Sequence, residues 1–301
     1  MTVAASRQAP LRGPSTWRAD TALVVAAFCF GTTFIVVKDA VDEVDPVPFL
    51  AVRFLIGAGV LAVAARGRGH PATPHELRHG VVAGLALWAG YTLQTVGLQY
   101  TDPATSAFLT YMLVVIVPVL AFVFLRTPLH AATAVGIAVA VGGLLLLTGG
   151  VSGFGRGEVL TVGCAVGFAV HIVILGRTAA RHDAVRFTCV QLATVGVVSL
   201  VVSGAQGNAD AVVFGGGPLG AAVFTGVFAT ALAFLAMVWA QRSVSPSRAA
   251  LVLLLEPVFA AFLSWLRGDE LTAASAAGGG LILVAVVIAE VMPAHLTPRS
   301  R

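Results

Sequence analysis

Charge is scarce in this 301-residue chain, where Asp, Glu, Lys and Arg make up 11% of positions against roughly 25% in an ordinary soluble domain. With 58% hydrophobic residues, that scarcity excludes a water-soluble globule, a disordered polymer and a nucleic-acid binder, each of which depends on charge or polarity. Cysteine is equally rare. Cys29, Cys164 and Cys189 all lie inside apolar stretches, so neither a disulfide framework nor a thiolate metal site is expected, and the three read as small hydrophobes. Lysine occurs once, at Lys38, beside 17 arginines. No Gly-rich stretch is preceded by a strand pattern or followed by Lys-Ser or Lys-Thr, which leaves ATP hydrolysis unsupported and no cofactor called for.

What the chain has is long apolar runs. A run of about 20 residues crosses a hydrocarbon core of roughly 30 Å as a helix, and in lipid only helices or closed barrels satisfy the backbone. Barrel strands would alternate over about 10 residues, and runs such as Val135 to Leu147 do not. The pattern predicts an all-α polytopic membrane protein with ten transmembrane helices at 21–37, 46–65, 80–98, 104–125, 130–148, 158–176, 187–203, 219–240, 248–266 and 272–291. Residues 1–20 and 292–301 then form tails. Placing both tails in the cytoplasm puts 14 basic residues inside and leaves only Lys38, Arg156 and Arg267 outside, with Arg53 within the second helix. That asymmetry obeys the positive-inside rule and predicts a multi-pass protein of the plasma (bacterial inner) membrane.

The chain also repeats. A Gly-rich hinge at 149–157 separates two five-helix halves, 21–148 and 158–291. Phe30-Gly31-Thr32-Thr33-Phe34 aligns without gaps on Phe168-Ala169-Val170-His171-Ile172, and Gln99, Thr101, Ala107 and Pro118 answer to Gln241, Ser243, Ala249 and Pro257. Five is odd, so the halves cross the membrane in opposite senses. Such inverted repeats recur in secondary transporters, where rocking one half against the other alternates access to a central site.

The residues Gly90 to Thr101 with Ser106-Ala107-Phe108-Leu109, the stretch Ser245-Pro246-Ser247-Arg248 through Leu255-Glu256-Pro257 to Gly268-Asp269-Glu270, and Arg53-Phe54 together resemble the EamA-type transporters of the drug/metabolite transporter superfamily. The resemblance covers nearly the whole chain. It implies a transporter, often an exporter of amino acids, other metabolites or drugs. The chain departs from the family pattern in having Phe30 and Phe168 where Trp is usual, and Arg126-Thr127-Pro128 where the second half has Asp269-Glu270.

Polar residues inside the apolar runs are the candidate pathway. Glu256 lies eight residues beyond Arg248 and eleven before Arg267, near the bilayer midplane by the helical rise. Ionised side chains there are costly, so it is expected to face the bundle interior and is the proton-coupling candidate; packing as a neutral hydrogen-bonded group is the plainer reading. Pro257, like Pro118, is expected to kink its helix and free a carbonyl. His171 and its repeat mate Thr33 are pathway candidates as well; the His171 ring is suited to proton exchange, or makes one structural hydrogen bond. Arg53 either meets an anionic group or Glu256, or snorkels outward to pair with Asp42, Glu43 or Asp45. Trp88, Tyr91 and Gln94 recur at offsets of three, on or near one face, with Tyr111 a further polar aromatic; cavity lining and packing both account for them. Gln191 is a weaker candidate, and Trp239 fits an interfacial anchor.

The function expected is alternating-access transport of a small-molecule substrate across the lipid bilayer, with possible proton coupling through Glu256 and export as the direction the resemblance implies. Uncoupled facilitation or import is the alternative within transport, and a non-transporting scaffold or sensor the alternative outside it. An enzyme would need a dyad or metal cluster, and His70, His75, His79, His130, His182 and His295 are scattered without ligand spacing. Neither an enzymatic role nor a bound metal is expected. Monomer and homodimer both remain open.

Overall fold

The computed structural model describes residues 14–67, 72–101, 103–151, 154–208, 211, 215–268, 270 and 272–296, with the backbone alone at 33–35, 38, 39, 103, 104 and 289–296. Thr33 and Lys38 are therefore outside the described side chains, as are the tails that carry Arg7, Arg12, Arg299 and Arg301. Among the described residues the elements are helical, with no strand.

The helices are α1 (Thr16–Glu43), α2 (Pro46–Ala65), α3 (Pro74–Gly97), α4 (Pro103–Tyr111), α5 (Leu113–Leu125), α6 (Ala131–Thr148), α7 (Arg156–Thr178), α8 (Ala184–Ala205), α9 (Gly216–Thr225), α10 (Ala233–Ala240), α11 (Pro246–Leu253), α12 (Leu255–Leu266) and α13 (Ala273–Leu296). A π-helical turn, Gly226–Leu232, joins α9 to α10, and a 3-10 turn, Ala179–Arg181, follows α7. Among the described residues seven segments are long and apolar enough to cross a membrane: α2, α4 with α5 from Thr105, α6, α7 running on to Arg181, α8, the α9–α10 unit, and α11 with α12. The outward side chains are apolar as well, Val119, Phe122, Val123 and Phe124 being 58–62% exposed, the finish that hydrocarbon tails rather than water require.

Caps, more than hydrophobicity, set where these helices end. α1 runs 28 residues, well beyond the apolar stretch 21–37, because Trp17, Arg18, Asp20, Asp42 and Glu43 are all compatible with a helical backbone and chain direction breaks only at Val44-Asp45 before Pro46. α3 begins at Pro74 rather than 80: Thr73 accepts a bond from the Glu76 amide at 3.1 Å, and Pro74 suits the first helical position. α8 spans 22 residues rather than the 17 expected, since Asp183 accepts from the amides of Val185 and Arg186, each at 3.1 Å. The helices carrying Pro118 and Pro257 are interrupted at Met112 and Leu254. The second break sits one turn before its proline, where the ring removes a donor and crowds the preceding carbonyls.

Small residues set the helix spacing. A methyl group added to Gly143 of α6 would lie 2.7 Å from the carbonyl oxygen of Gly278 in α13, and one on Gly278 would lie 2.5 Å from that of Gly143. Glycine at both positions is what lets these backbones touch. Of the other glycines in those two runs, Gly142 and Gly280 face open space.

The most extensive contacts pair α6 with α13, α2 with α8, α3 with α7 and α8, and α1 with α10 and α12. Polar contacts collect at the two ends of the bundle. One end holds the starts of α1, α3, α8 and α11, where Arg248 donates to both carboxylate oxygens of Asp20 at 2.9 and 2.6 Å. There Glu76, 2% exposed, accepts from the Asp183 amide at 3.1 Å and from Arg186 Nε at 3.4 Å. The other end holds Asp45 with Asn208 (3.4 Å), Thr101 with Glu158, and Ser275 with the Leu147 carbonyl (3.4 Å).

Candidate functional site

Between the two ends the bundle encloses a cavity of about 80 Å³, lined mainly by apolar and aromatic side chains with Tyr91, Gln94, Thr110, Tyr111, His171 and Glu256 among them. A second space, about 190 Å³, shares Phe30, Tyr91, Gln94 and Glu256 with the first and adds Arg53, Thr95, Gln99 and Asp42. A shallow vestibule lined by Val41 to Pro46 and Gln99 continues it. The three spaces form one path from the core to the end where α1 turns into α2. At the other end stand the ion pairs Asp20–Arg248 and Glu76–Arg186.

Arg53 does not snorkel. It is 4% exposed, and its Nε donates to Thr230 Oγ1 at 2.8 Å. Its guanidinium lies 5.5 Å from the ring centre of Tyr91 and 5.6 Å from that of Phe54, a cation–π arrangement that partly compensates for lost water. The hydroxyl that anchors it belongs to the π-helical turn Gly226–Leu232, an irregularity frequent at functional sites. The reason for the burial is reach: Arg53 sits two turns inside α2, and Gly57 and Gly226 bring α2 and this turn so close that the side chain is held between helices.

Glu256 is half-buried in the wall opposite, one residue into α12 after the break at Leu254. Its carboxyl is within hydrogen-bonding range of the Tyr111 hydroxyl, which donates, and within electrostatic range of Arg53. Among the described residues no ion pair joins Arg53 to any carboxylate.

His171 is 1% exposed, and its Nε2 lies 2.7 Å from Gln191 Oε1. Gln191 Nε2 donates to the Phe187 carbonyl at 3.1 Å, so its oxygen faces the ring and the proton of the neutral imidazole sits on His171 Nε2. Tyr91 stands at the centre of an aromatic set, with ring centres 5.0 Å from Phe54, 5.0 Å from Phe168 and 6.1 Å from Phe234. Gln94 donates to Thr110 Oγ1 at 3.3 Å.

Six of the residues singled out from the sequence thus come together: Glu256, His171, Tyr91, Gln94, Tyr111 and Arg53 line the path. Trp88 does not line it. Its ring packs into the core and its indole Nε1 is buried without a partner. The sequence reading missed Gln99, Thr110 and Phe234. Gln99 carries the signal that could have found it, since it has a repeat mate in Gln241, but a polar residue at a span end reads as interfacial; Phe234 carries none, because an apolar residue on an apolar helix looks like packing. The histidines are not wholly scattered either. His79 Nδ1 and His182 Nε2 are 2.8 Å apart, with the His75 ring 6.4 Å from that of His79. Among the described residues no group of three or more His, Cys, Asp or Glu could hold a metal.

An apolar helical bundle with membrane-crossing segments and opposed ionisable groups buried along an internal path is a polytopic membrane protein. The family model of the EamA-like transporter family matches residues 17–149 and again residues 155–290. The chain belongs to that family, and it is a membrane transporter. It is 29% identical over 276 residues to an uncharacterized transporter of Archaeoglobus fulgidus, covering 90% of this chain and 85% of that one. It is also 26% identical over 274 residues to the uncharacterized transporter YvbV of Bacillus subtilis, covering 88% and 89%. A solved crystal structure matches with a TM-score of 0.79 at 20% identity, over 94% of this chain and 100% of that one, a likeness of fold.

Proposed function

We propose that the protein is a secondary active transporter of the plasma membrane that exports small metabolites, amino acids or related compounds, or drugs, by alternating access, with Glu256 as the proton-carrying residue. The carrying observation is a buried arginine that faces a carboxyl across an internal path leading to the end where α1 turns into α2. A passive scaffold has no use for charge in that position, where ionised groups are expensive. The reading also has no enzymatic step.

The architecture proposed is ten membrane helices in two inverted halves. The helix contacts support it by their symmetry. Second packs on second (α2 with α8), fifth on fifth (α6 with α13), and the first helix of each half packs on the third of the other (α1 with α10, α7 with α3). That exchange is what a two-fold axis in the membrane plane generates. The family model matching the chain twice, once on each half, supports it too. α1 and α3, at 28 and 24 residues, also have the length to span. The arginine distribution supports a cytoplasmic side for both termini and the Asp20–Arg248 end, and on that reading the path opens outward. Export is supported by the family resemblance.

The test is solute-dependent proton movement in proteoliposomes with a panel of amino acids, nucleosides and cationic drugs. Substrate-triggered proton flux lost in Glu256→Gln is expected; labelled solute moving without protons in either protein indicates a facilitator instead.

A further inference from the structure

Arg53 is the unexplained charge of this molecule. A guanidinium cannot shed its proton, and burying it without an anion costs several kcal/mol. Thr230 and the Tyr91 hydroxyl accept from it and the Tyr91 and Phe54 rings lie against it, yet no carboxylate touches it among the described residues. Glu256 faces it across the second cavity. The arrangement leaves a gap between a fixed planar cation and a carboxyl that can be neutral or ionised. Past the gap the wall is aromatic and aliphatic, with Phe168, Phe234 and Leu87 beside Tyr91.

We infer that this gap takes an organic monocarboxylate with an apolar or aromatic body and no ammonium group, its carboxylate on the Arg53 guanidinium, and that it binds together with one proton on Glu256. The inference rests on Glu256 being the proton-carrying residue. Charge balance is the reason. When Glu256 is ionised, Arg53 has its compensating charge across the gap and a second anion is repelled. When Glu256 takes a proton from hydronium in the vestibule, one O–H bond forming on the carboxyl as one breaks in the hydronium and leaves water, Arg53 is left uncompensated, and the incoming carboxylate restores neutrality through a bidentate contact. Release reverses both steps, so anion and proton cross as a neutral pair, and export by this route runs down the outward gradient of the anion and carries the proton out with it. A substrate ammonium would need Glu256 ionised and would reverse the pH dependence. The ring of the substrate would join the edge-to-face set around Tyr91 and Phe234.

Other titratable groups face this gap. Tyr91 and Tyr111 adjoin Arg53 and Glu256, Cys164 lies behind Thr110, His171 lies on the α7 wall, and Asp42 lies at the vestibule. His171 is the other side chain on this wall that can take up a proton, so it is controlled for directly.

The experiment is equilibrium binding to the full chain in detergent by calorimetry, at about pH 5.5 and about pH 7.5, of phenylacetate, phenylalanine and benzylamine, which share a body and differ in head group. Phenylacetate remains ionised across that range, carboxyl groups titrating near 4. Phenylacetate is expected to bind wild type about tenfold more tightly at the lower pH, and Glu256→Gln with the same affinity at both. His171→Gln should keep the wild-type pH dependence. Arg53→Gln should lose binding; should that variant not fold, Thr230→Val, which keeps the charge and removes its anchor, should weaken binding several-fold. Tighter binding of phenylalanine or benzylamine, no detectable phenylacetate binding, or Thr230→Val and Arg53→Gln binding as wild type would overturn the inference. If phenylacetate does not bind while another solute still moves protons through wild type, the ligand class falls and the transport reading stands. If phenylacetate binds with pH-independent affinity, the proton link falls.

Discussion

The backbone of Gly31 in α1 lies directly against the carbonyl oxygen of Glu256, close enough that a methyl group on Gly31 would come within 2.7 Å of it and within 3.0 Å of Phe259 Cβ. α1 therefore packs on the stretch of chain that presents the carboxyl to the cavity, just after the break at Leu254. Position and motion of Glu256 are thereby tied to the first helix.

Gly31→Val should force α1 away from α12. Overpacking of this kind destabilises by about 1–3 kcal/mol, so the variant should show a lowered thermal midpoint in detergent together with impaired flux. Gly59, where an added methyl meets nothing, is the control: Gly59→Ala should leave both unchanged.

The Asp20–Arg248 contact ties the start of α1 to α11 at the end opposite the vestibule. Its two hydrogen bonds, 2.9 and 2.6 Å, are charge-assisted and shielded, worth about 1.5–3 kcal/mol. Asp20→Asn should therefore shift the opening equilibrium at that end by about tenfold or more. Gln241 reports on it: 3% exposed, with both amide atoms buried and unpartnered, it is the repeat mate of the cavity-lining Gln99. A cysteine at 241 should label slowly with a water-soluble maleimide in an otherwise wild-type background, and markedly faster when combined with Asp20→Asn.

At the same end, the His79–His182 contact makes a pH-sensitive seam between α3 and the turn before α8. Burial first, then the neighbouring His79 and Arg181, holds His182 down to about 4, and burial with His75 and Arg181 lowers His79. Arg78, Arg177, Asp183 and Glu76 complete the surroundings. A histidine whose folded value lies below its unfolded 6.5 contributes stability that is present at higher pH and lost as pH falls between about 6.5 and 4. Amide exchange at the start of α3 and α8 should accelerate across that interval, and His182→Gln should remove most of the pH dependence.

The sequence was legible where physics acts locally and opaque where it acts across helices. Apolar runs located most of the membrane segments, yet the extent of α1 escaped because a helix can continue through Asp42 and Glu43 after hydrophobicity ends. The polarity of Glu256, Arg53, His171 and Gln94 within such runs marked them, and the structure brings them to one path. The partners could not be read: Thr230 becomes the anchor of Arg53 only because a π-helical turn rotates it toward α2, and the His79–His182 pair joins positions 103 residues apart. Trp88 shows the converse: its spacing allowed cavity lining and packing alike, and its ring packs against the core.

The most direct test of the central claim is proton flux beside solute flux in proteoliposomes for wild type and Glu256→Gln, measured with a pH-sensitive dye and labelled solute in the same preparation. The account predicts that wild type couples the two and that the variant, folded and still binding solute, moves no protons. Unchanged coupling in Glu256→Gln would contradict it.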